Sequence, residues 1–167
     1  MKAIIVGLGN PGEGYELTRH NTGKIIADLL GYQILDGFMN NSGRSISKLV
    51  KSKKDISRLI VIHDDLDLPI GKFKISFDKS AGGHRGVASI IKALKSQEFS
   101  RIRVGISPAT PSGKLKKPLG EKKVLDFILG KFKPNELLVL KKLSKKISEA
   151  VSLIEKGDIA LAQNKFN

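Results

Sequence analysis

A short apolar run, Ala3 to Val6, breaks into Gly7-Leu8-Gly9-Asn10-Pro11-Gly12 and then into Tyr15 and Thr18-Arg19-His20-Asn21 before any helical pattern begins. Apolar residues at helical spacing follow only at Ile25, Ile26, Leu29 and Leu30. The segment therefore reads as a strand, a long polar connection and a helix, the repeating unit of α/β folds, which keep their chemistry in such connections. The glycines also match G-x-G-x-x-G, the dinucleotide fingerprint. Pro11 removes a backbone N–H from the loop that would cradle a pyrophosphate, and the helical pattern starts too late to aim its N-terminus at one. Asp36 lies at roughly the distance of a ribose-binding acid, but no convincing strand leads to it. A nicotinamide- or flavin-dependent oxidoreductase fits poorly. A plain turn explains the glycines but not the Asn, Tyr and His.

Residues 2–6, 59–62, 72–77 and 102–106 read as strands. Between them lie two more helical patterns, one at Ile46, Leu49 and Val50 with Ser42 or Ser45 as cap, the other at Val87, Ile90, Ile91 and Leu94. This alternation predicts one α/β domain over residues 1–167, with a mixed, mostly parallel twisted sheet flanked by helices. Residues 107–123, with three prolines and five lysines, read as a mobile basic loop. The run 124–129 fits a helix or a strand. Leu140, Leu143, Ile147, Val151 and Ile154 form one stripe of a long helix opened by Pro134-Asn135 and closed by Gly157, with Lys141, Lys142, Lys145 and Lys146 on its other face.

The charge bears on partners. Thirty basic side chains against sixteen acidic ones give +14, weighted to the C-terminal half: residues 1–91 carry net +4 and residues 92–167 net +10. Such an excess attracts nucleic acid, although a lysine-rich solvated surface has the same composition. With no cysteine, disulfides, thiol nucleophiles and thiolate metal sites are excluded. No apolar run approaches the ~20 residues that span a bilayer. No cleaved-signal pattern follows Met1-Lys2, so the expectation is a soluble cytoplasmic protein without a membrane partner.

Three histidines carry the candidate chemistry. His20 lies near the start of the first helix, where the positive helix end disfavours an imidazolium and leaves a neutral ring suited to a general base. A capping or surface histidine is the plainer reading. In His63-Asp64-Asp65-Leu66-Asp67, alternation sends Asp64 and Asp65 to opposite faces, so one of them can orient a histidine from another loop. Mg²⁺ held by the acids is the rival. Ser80 to Gly86 pairs two glycines with His84 before a helix, which suits close approach of a ligand or an anion, or a simple turn. No G-x-S-x-G elbow occurs.

Taken together, Gly-Leu-Gly-Asn-Pro-Gly with Tyr15 and Thr-Arg-His-Asn, then Phe38-Met39-Asn40, His63-Asp64-Asp65-Leu66-Asp67 and Gly-Gly-His84 resemble the bacterial-type peptidyl-tRNA hydrolases. The likeness continues through Arg101-Ile102-Arg103-Val104-Gly105-Ile106, Phe127-Ile128-Leu129-Gly130 and Ala162-Gln163-Asn164-Lys165-Phe166, so it covers nearly the whole chain. It implies a monomer that cleaves the ester between peptide and tRNA, recycling tRNA from aborted translation without metal, organic cofactor or obligate protein partner. By motif, His20 is then the base that activates water and Asp64 orients it. Asn10 and Asn40 position substrate or water and stabilise the oxyanion. Tyr15, Met39 and His84 line the groove, and Lys74 and Arg103 hold tRNA phosphates.

Two features depart from that pattern. Arg85 stands where the family has Asn, so an amide that donates and accepts becomes a cation that only donates, and substrate contacts there must differ. Residues 31–37 alone separate the first helix from Phe38, where the family carries a strand-bearing segment. The sheet is thus expected to lack strands at one edge, which leaves the position of Asn40 open. The alternative function is an RNA-binding relative of the same fold with impaired catalysis. Retention of Asn10, His20 and Asp64 together argues for the hydrolase.

Overall fold

The computed structural model describes residues 2–167. Strand β1 (Ile4–Gly7) is apolar without alternation, the pattern of a strand covered on both faces. It is flanked by β2 (Gln33–Ile34) and β3 (Leu59–Pro69), and the order across the sheet is β2-β1-β3-β5-β4, with β4 (Phe73–Phe77) and β5 (Ser100–Ser107) completing it. All neighbours are parallel except β4 with β5. Helices α1 (Thr22–Leu30), α6 (Pro134–Glu155) and α7 (Ile159–Phe166) cover one face, burying Ile26, Leu140 and Ile147 against Ile60, Ile62 and Ile102. On the other, α2 (Ser42–Leu49) and α4 (Arg85–Leu94) bury Ile46, Val87 and Ile90 against Val6 and Val61. Helix α3 (Lys53–Ser57) joins α2 to β3, and α5 (Glu121–Ile128) lies between β5 and α6 in sequence.

After β1 the chain winds outward through α1 to β2, then crosses back to β3 on the other side of β1. The winding direction reverses between β1 and β3, and the carboxyl ends of strands at such a reversal open a crevice that α/β proteins use for ligands. His20 follows β1 and Asp64 lies in β3. Topology alone brings the two motifs together.

The approach of α1 to the sheet depends on missing side chains. A Cβ on Gly23 would sit 2.1 Å from the Ile62 carbonyl oxygen and 2.7 Å from the Leu8 nitrogen. Those are backbone atoms that cannot yield cheaply. Gly23→Ala is therefore expected to destabilise the fold by about 1–3 kcal/mol, the usual range for overpacking, seen as a lower denaturation midpoint. Because the same helix start carries His20, activity should fall with it.

Several sequence expectations need correction. The expected edge loss is partial: residues 31–37 contain β2, two residues paired through Val6 with Gln33 and Gly7 with Ile34. Strand β3 does not stop at residue 62 but continues through the acidic motif, because Arg103, Val104 and Gly105 of β5 pair with His63, Asp64 and Asp65. Neither Ser42 nor Ser45 caps α2. A 3-10 turn (Met39–Asn41) runs straight into the helix, so Asn41 holds the cap position, while the two hydroxyls donate to the Met39 and Asp36 carbonyls. The ambiguous run 124–129 is helical through residue 128, in α5, which starts at Glu121 and is capped by Leu129, and β5 extends to Ser107; the basic loop thus shrinks to residues 108–120. It carries a tight turn in which Ala109 pairs with Leu115. Gly82 and Gly83 adopt φ of 59° and 83°, a left-handed turn that favours glycine and opens onto the cleft. Helices α3 and α7 were not expected. The first starts with a capping box in which Ser52 Oγ accepts from the Asp55 N–H and the Asp55 carboxylate accepts from Ser52.

The long-helix reading agrees with the structure. All five residues of the stripe from Leu140 to Ile154 are buried, and Lys141, Lys142, Lys145 and Lys146 are exposed. The Glu136 carboxylate accepts from the Lys133 N–H at 2.6 Å, and Pro134 opens the first turn.

Candidate active site

His20 sits in a 3-10 turn (Arg19–Asn21) that is pinned from outside the sheet. The Arg19 N–H donates to the Gly130 carbonyl at 3.0 Å. Its guanidinium lies 4.5 Å above the Phe127 ring and 3.4 Å from the Glu136 carboxylate. The flanking arginine is thus a fastener joining the histidine turn to the α5–α6 junction, which sequence reasoning did not anticipate.

The His20 ring meets Asp64 with Nδ1 2.9 Å from Oδ2, and His84 reaches the other oxygen, Nε2 2.8 Å from Oδ1. Asp64 is 4% exposed and its carboxyl is held far below the usual range. Burial opposes the charge most strongly, but the two imidazoles and their hydrogen bonds outweigh it. An ionised carboxylate only accepts, so both facing ring nitrogens carry protons. His84 Nδ1 in turn accepts from the Val87 N–H at 3.2 Å and caps α4, which assigns the proton facing Asp64 to Nε2. His84, expected as a groove residue, does border the cleft but also holds the acid. His20, proton on Nδ1, keeps Nε2 without a hydrogen bond among the described residues.

A neutral His20 by helix-end repulsion is not what the site delivers. Burial, the largest influence, lowers its pKa, but the Asp64 charge and hydrogen bond raise it by more, and Arg85 opposes them weakly; the net shift is upward from 6.5. The proton-free base thus becomes the dominant form only above the ordinary imidazole range. His63, 2% exposed, behaves oppositely. Burial foremost, with the neighbouring His84, pushes its pKa well down, so it stays neutral while Nδ1 donates to the Asp64 carbonyl at 2.7 Å.

Asn10 is oriented by its neighbours. The Asn21 side chain clamps its backbone, Oδ1 accepting from the Asn10 N–H at 2.8 Å and Nδ2 donating to the Asn10 carbonyl at 2.9 Å. Asn10 Oδ1 accepts from the Met39 N–H at 2.8 Å, which leaves the amide NH₂ as the end offered to the cleft. That bond ties the first motif to the Phe38-Met39-Asn40 motif. Asn40 accordingly borders the cleft despite the short connection. Asn21 is a structural partner that the Thr-Arg-His-Asn motif contained but the sequence reading passed over.

The cleft has a volume of about 1160 Å³ and takes in Asn10, Tyr15, His20, Met39, Asn40, Asp64, His84, Arg85 and Arg103. Tyr15 packs edge-on against the half-exposed Phe38, with centroids 6.3 Å apart. Met39 borders the cleft yet is 4% exposed and largely part of the core. Arg85 reaches across the rim to Glu121 at 3.2 Å. Arg103 Nε lies 2.9 Å from Asp65. Lys74 is the exception: it is exposed on β4, opposite Arg103 in register, but does not border the cleft.

Mg²⁺ does not suit this acid cluster. A hard cation wants several oxygen ligands, whereas Asp64 already accepts from two imidazoles, Asp65 pairs with Arg103 and Asp67 pairs with Lys117. The dinucleotide reading fails as well, because α1 begins ten residues beyond Gly12 and its first turn packs directly on Gly7 and Gly9, where a pyrophosphate would have to lie.

Fold and site define a doubly wound α/β protein with an imidazole–carboxylate pair at the switch point of its sheet. The chain matches the family model for peptidyl-tRNA hydrolase over residues 4–35 and 36–167, the break falling inside the shortened connection. It is 35% identical to the peptidyl-tRNA hydrolase of Bacillus cytotoxicus, with 98% of each chain covered. For that of Persephonella marina the identity is 33%, covering 100% of this chain and 98% of the relative. The crystal structure of peptidyl-tRNA hydrolase from Acinetobacter baumannii superposes with a TM-score of 0.81 at 26% identity, over 98% of this chain and 93% of that one. This chain belongs to the peptidyl-tRNA hydrolase family.

Proposed function

We propose that this protein hydrolyses the ester joining a peptide to the 3′ end of tRNA through a water activated by His20. The observation that carries this reading is the 2.9 Å contact of His20 Nδ1 with Asp64, which leaves Nε2 free at the floor of the cleft that Asn10 also borders. In the forward step Nε2 takes a proton from water as its oxygen attacks the ester carbonyl. Asp64 stabilises the imidazolium without itself taking the proton. The NH₂ of Asn10, with Asn40, donates to the oxyanion. Collapse expels the terminal ribose oxygen, which takes the proton back from Nε2, and the peptide leaves as a carboxylic acid that ionises. No step uses a covalent enzyme intermediate or a metal.

Tyr15, Phe38 and Met39 supply an apolar wall for peptide or base, and Arg85 a donor at the rim. Arg103, with Lys74 farther along the same basic surface, meets tRNA phosphates. The net charge of +14 supports a polyanionic substrate. The protein acts as a single-domain monomer in the cytoplasm on this reading, without a membrane or an obligate protein partner. No helix among the described residues is long and apolar enough to cross a membrane.

The test is incubation of the purified protein with N-acetylaminoacyl-tRNA and measurement of released N-acetylamino acid. Release with multiple turnovers is expected. Binding of the tRNA without release would instead identify an RNA-binding relative that has lost turnover.

A further inference from the structure

Almost every charge bordering the cleft has a partner. Asp64 holds two imidazoles, Asp65 holds Arg103, Asp67 holds Lys117 and Glu121 holds Arg85. Two cations are left among the described residues, Lys79 and Arg101. Lys79 is exposed and solvated. Arg101 is 3% exposed, yet its guanidinium has neither an ion pair nor a side-chain hydrogen bond. None of its nitrogens is fully enclosed, so the mostly buried side chain opens its unpaired guanidinium edge onto the cleft, where it is suited to an anion arriving from outside. Burial first and the neighbouring Arg103 second lower its pKa, and Asp65 restores only part, which describes a cation short of negative charge.

We infer that Arg101 receives a phosphodiester of the tRNA 3′ strand, the one next to the scissile ester, and so fixes how the acceptor end enters the cleft. This rests on the esterase reading above. Arg101 lies opposite Val61 in β3 and Ser76 in β4, and Val104, three residues further along β5, lies opposite Asp64. At the rise of a strand this separates the two positions by about 10 Å. A substrate whose ester sits over His20 carries its nearest negative charge on the phosphate linking the last two nucleotides. Arg103 is already neutralised by Asp65 and braced by Ser76 Oγ, which accepts from its Nη1 at 3.2 Å. Arg101 is therefore the group whose charge the substrate completes, and Arg103 lies beside it as the second donor fork.

The test compares binding of cytidylyl-(3′→5′)-adenosine with that of adenosine by chemical-shift titration. The wild type should favour the dinucleotide about tenfold, the worth of one hydrogen bond to a charged group. Arg101→Gln should erase that preference while leaving adenosine affinity unchanged, and Arg101→Lys should keep part of it. On peptidyl-tRNA, Arg101→Gln should raise KM about tenfold with kcat within twofold, and reduce the slope of log KM against log salt by about one. Equal loss of both ligands in either variant would overturn the assignment, as would a wild type indifferent to the phosphate. Because ligand binding is read without turnover, absence of peptide release by the wild type would refute the esterase reading and not this subsite.

Discussion

Peptide release by His20→Ala is expected to be about 10²–10⁴-fold slower than wild type at saturating substrate, with KM nearly unchanged. That range is the usual contribution of a positioned general base. The substitution removes the imidazole whose Nε2 is left unbonded by the Asp64 contact, in the cleft that Asn10 also borders, but leaves the cationic groups that meet tRNA in place. The turn should survive, since Arg19 fastens it through Gly130, Phe127 and Glu136 without involving the imidazole. Single-turnover measurements with excess enzyme separate chemistry from binding. A folded variant with the wild-type rate would remove the base from the proposed role.

Asp64→Asn should be nearly as damaging, for a reason that the hydrogen-bond chain makes specific. An amide offers one acceptor and one donor, whereas Asp64 faces two N–H groups. His84 cannot change tautomer without losing its acceptor contact to the Val87 N–H at the start of α4. The amide oxygen thus settles toward His84 and the NH₂ toward His20. His20 must then accept at Nδ1, which moves its own proton to Nε2, the nitrogen that should receive one from water. The same misplaced tautomer costs serine-protease triads about 10⁴ in kcat, and a loss of that order is expected here. Without the carboxylate the His20 pKa should also drop, so any residual activity should lose its acid limb toward lower pH. A loss under tenfold, measured as kcat, would mean that Asp64 is merely structural.

The sequence announced the site better than the scaffold around it. Asn10, His20, Asn40, Asp64 and His84 all lie on motifs that carry the family resemblance, and the β1–β3 reversal brings the first of these motifs to the acidic one. The edge strand β2 escaped because two residues held by backbone pairing show no alternation. The length of β3 was obscured since its acidic half looks like a loop until Arg103 and the histidines balance those charges. Helix α3 was visible in principle through Ser52 and Asp55, three residues apart. Of the protonation chain only the link from Asp64 to His20 was legible. That His84 holds Asp64 while capping α4, and that Arg101 lacks a partner, depends on distances between segments remote in sequence. Lys74 shows the reverse case: its motif placed it with Arg103, and the register agrees, but its side chain lies outside the cleft.

The most direct measurement is the pH dependence of single-turnover peptide release, set beside an NMR titration of the three histidine rings. The rate should climb with pH through a single ionisation above the ordinary imidazole value of 6.5, because Asp64 stabilises the charged ring more than burial disfavours it. The same midpoint should appear in the resonances of His20, while His63 remains neutral throughout. A rate that is level across the range in which His20 titrates, or an inflection that no histidine shares, would contradict the role of His20 as the base.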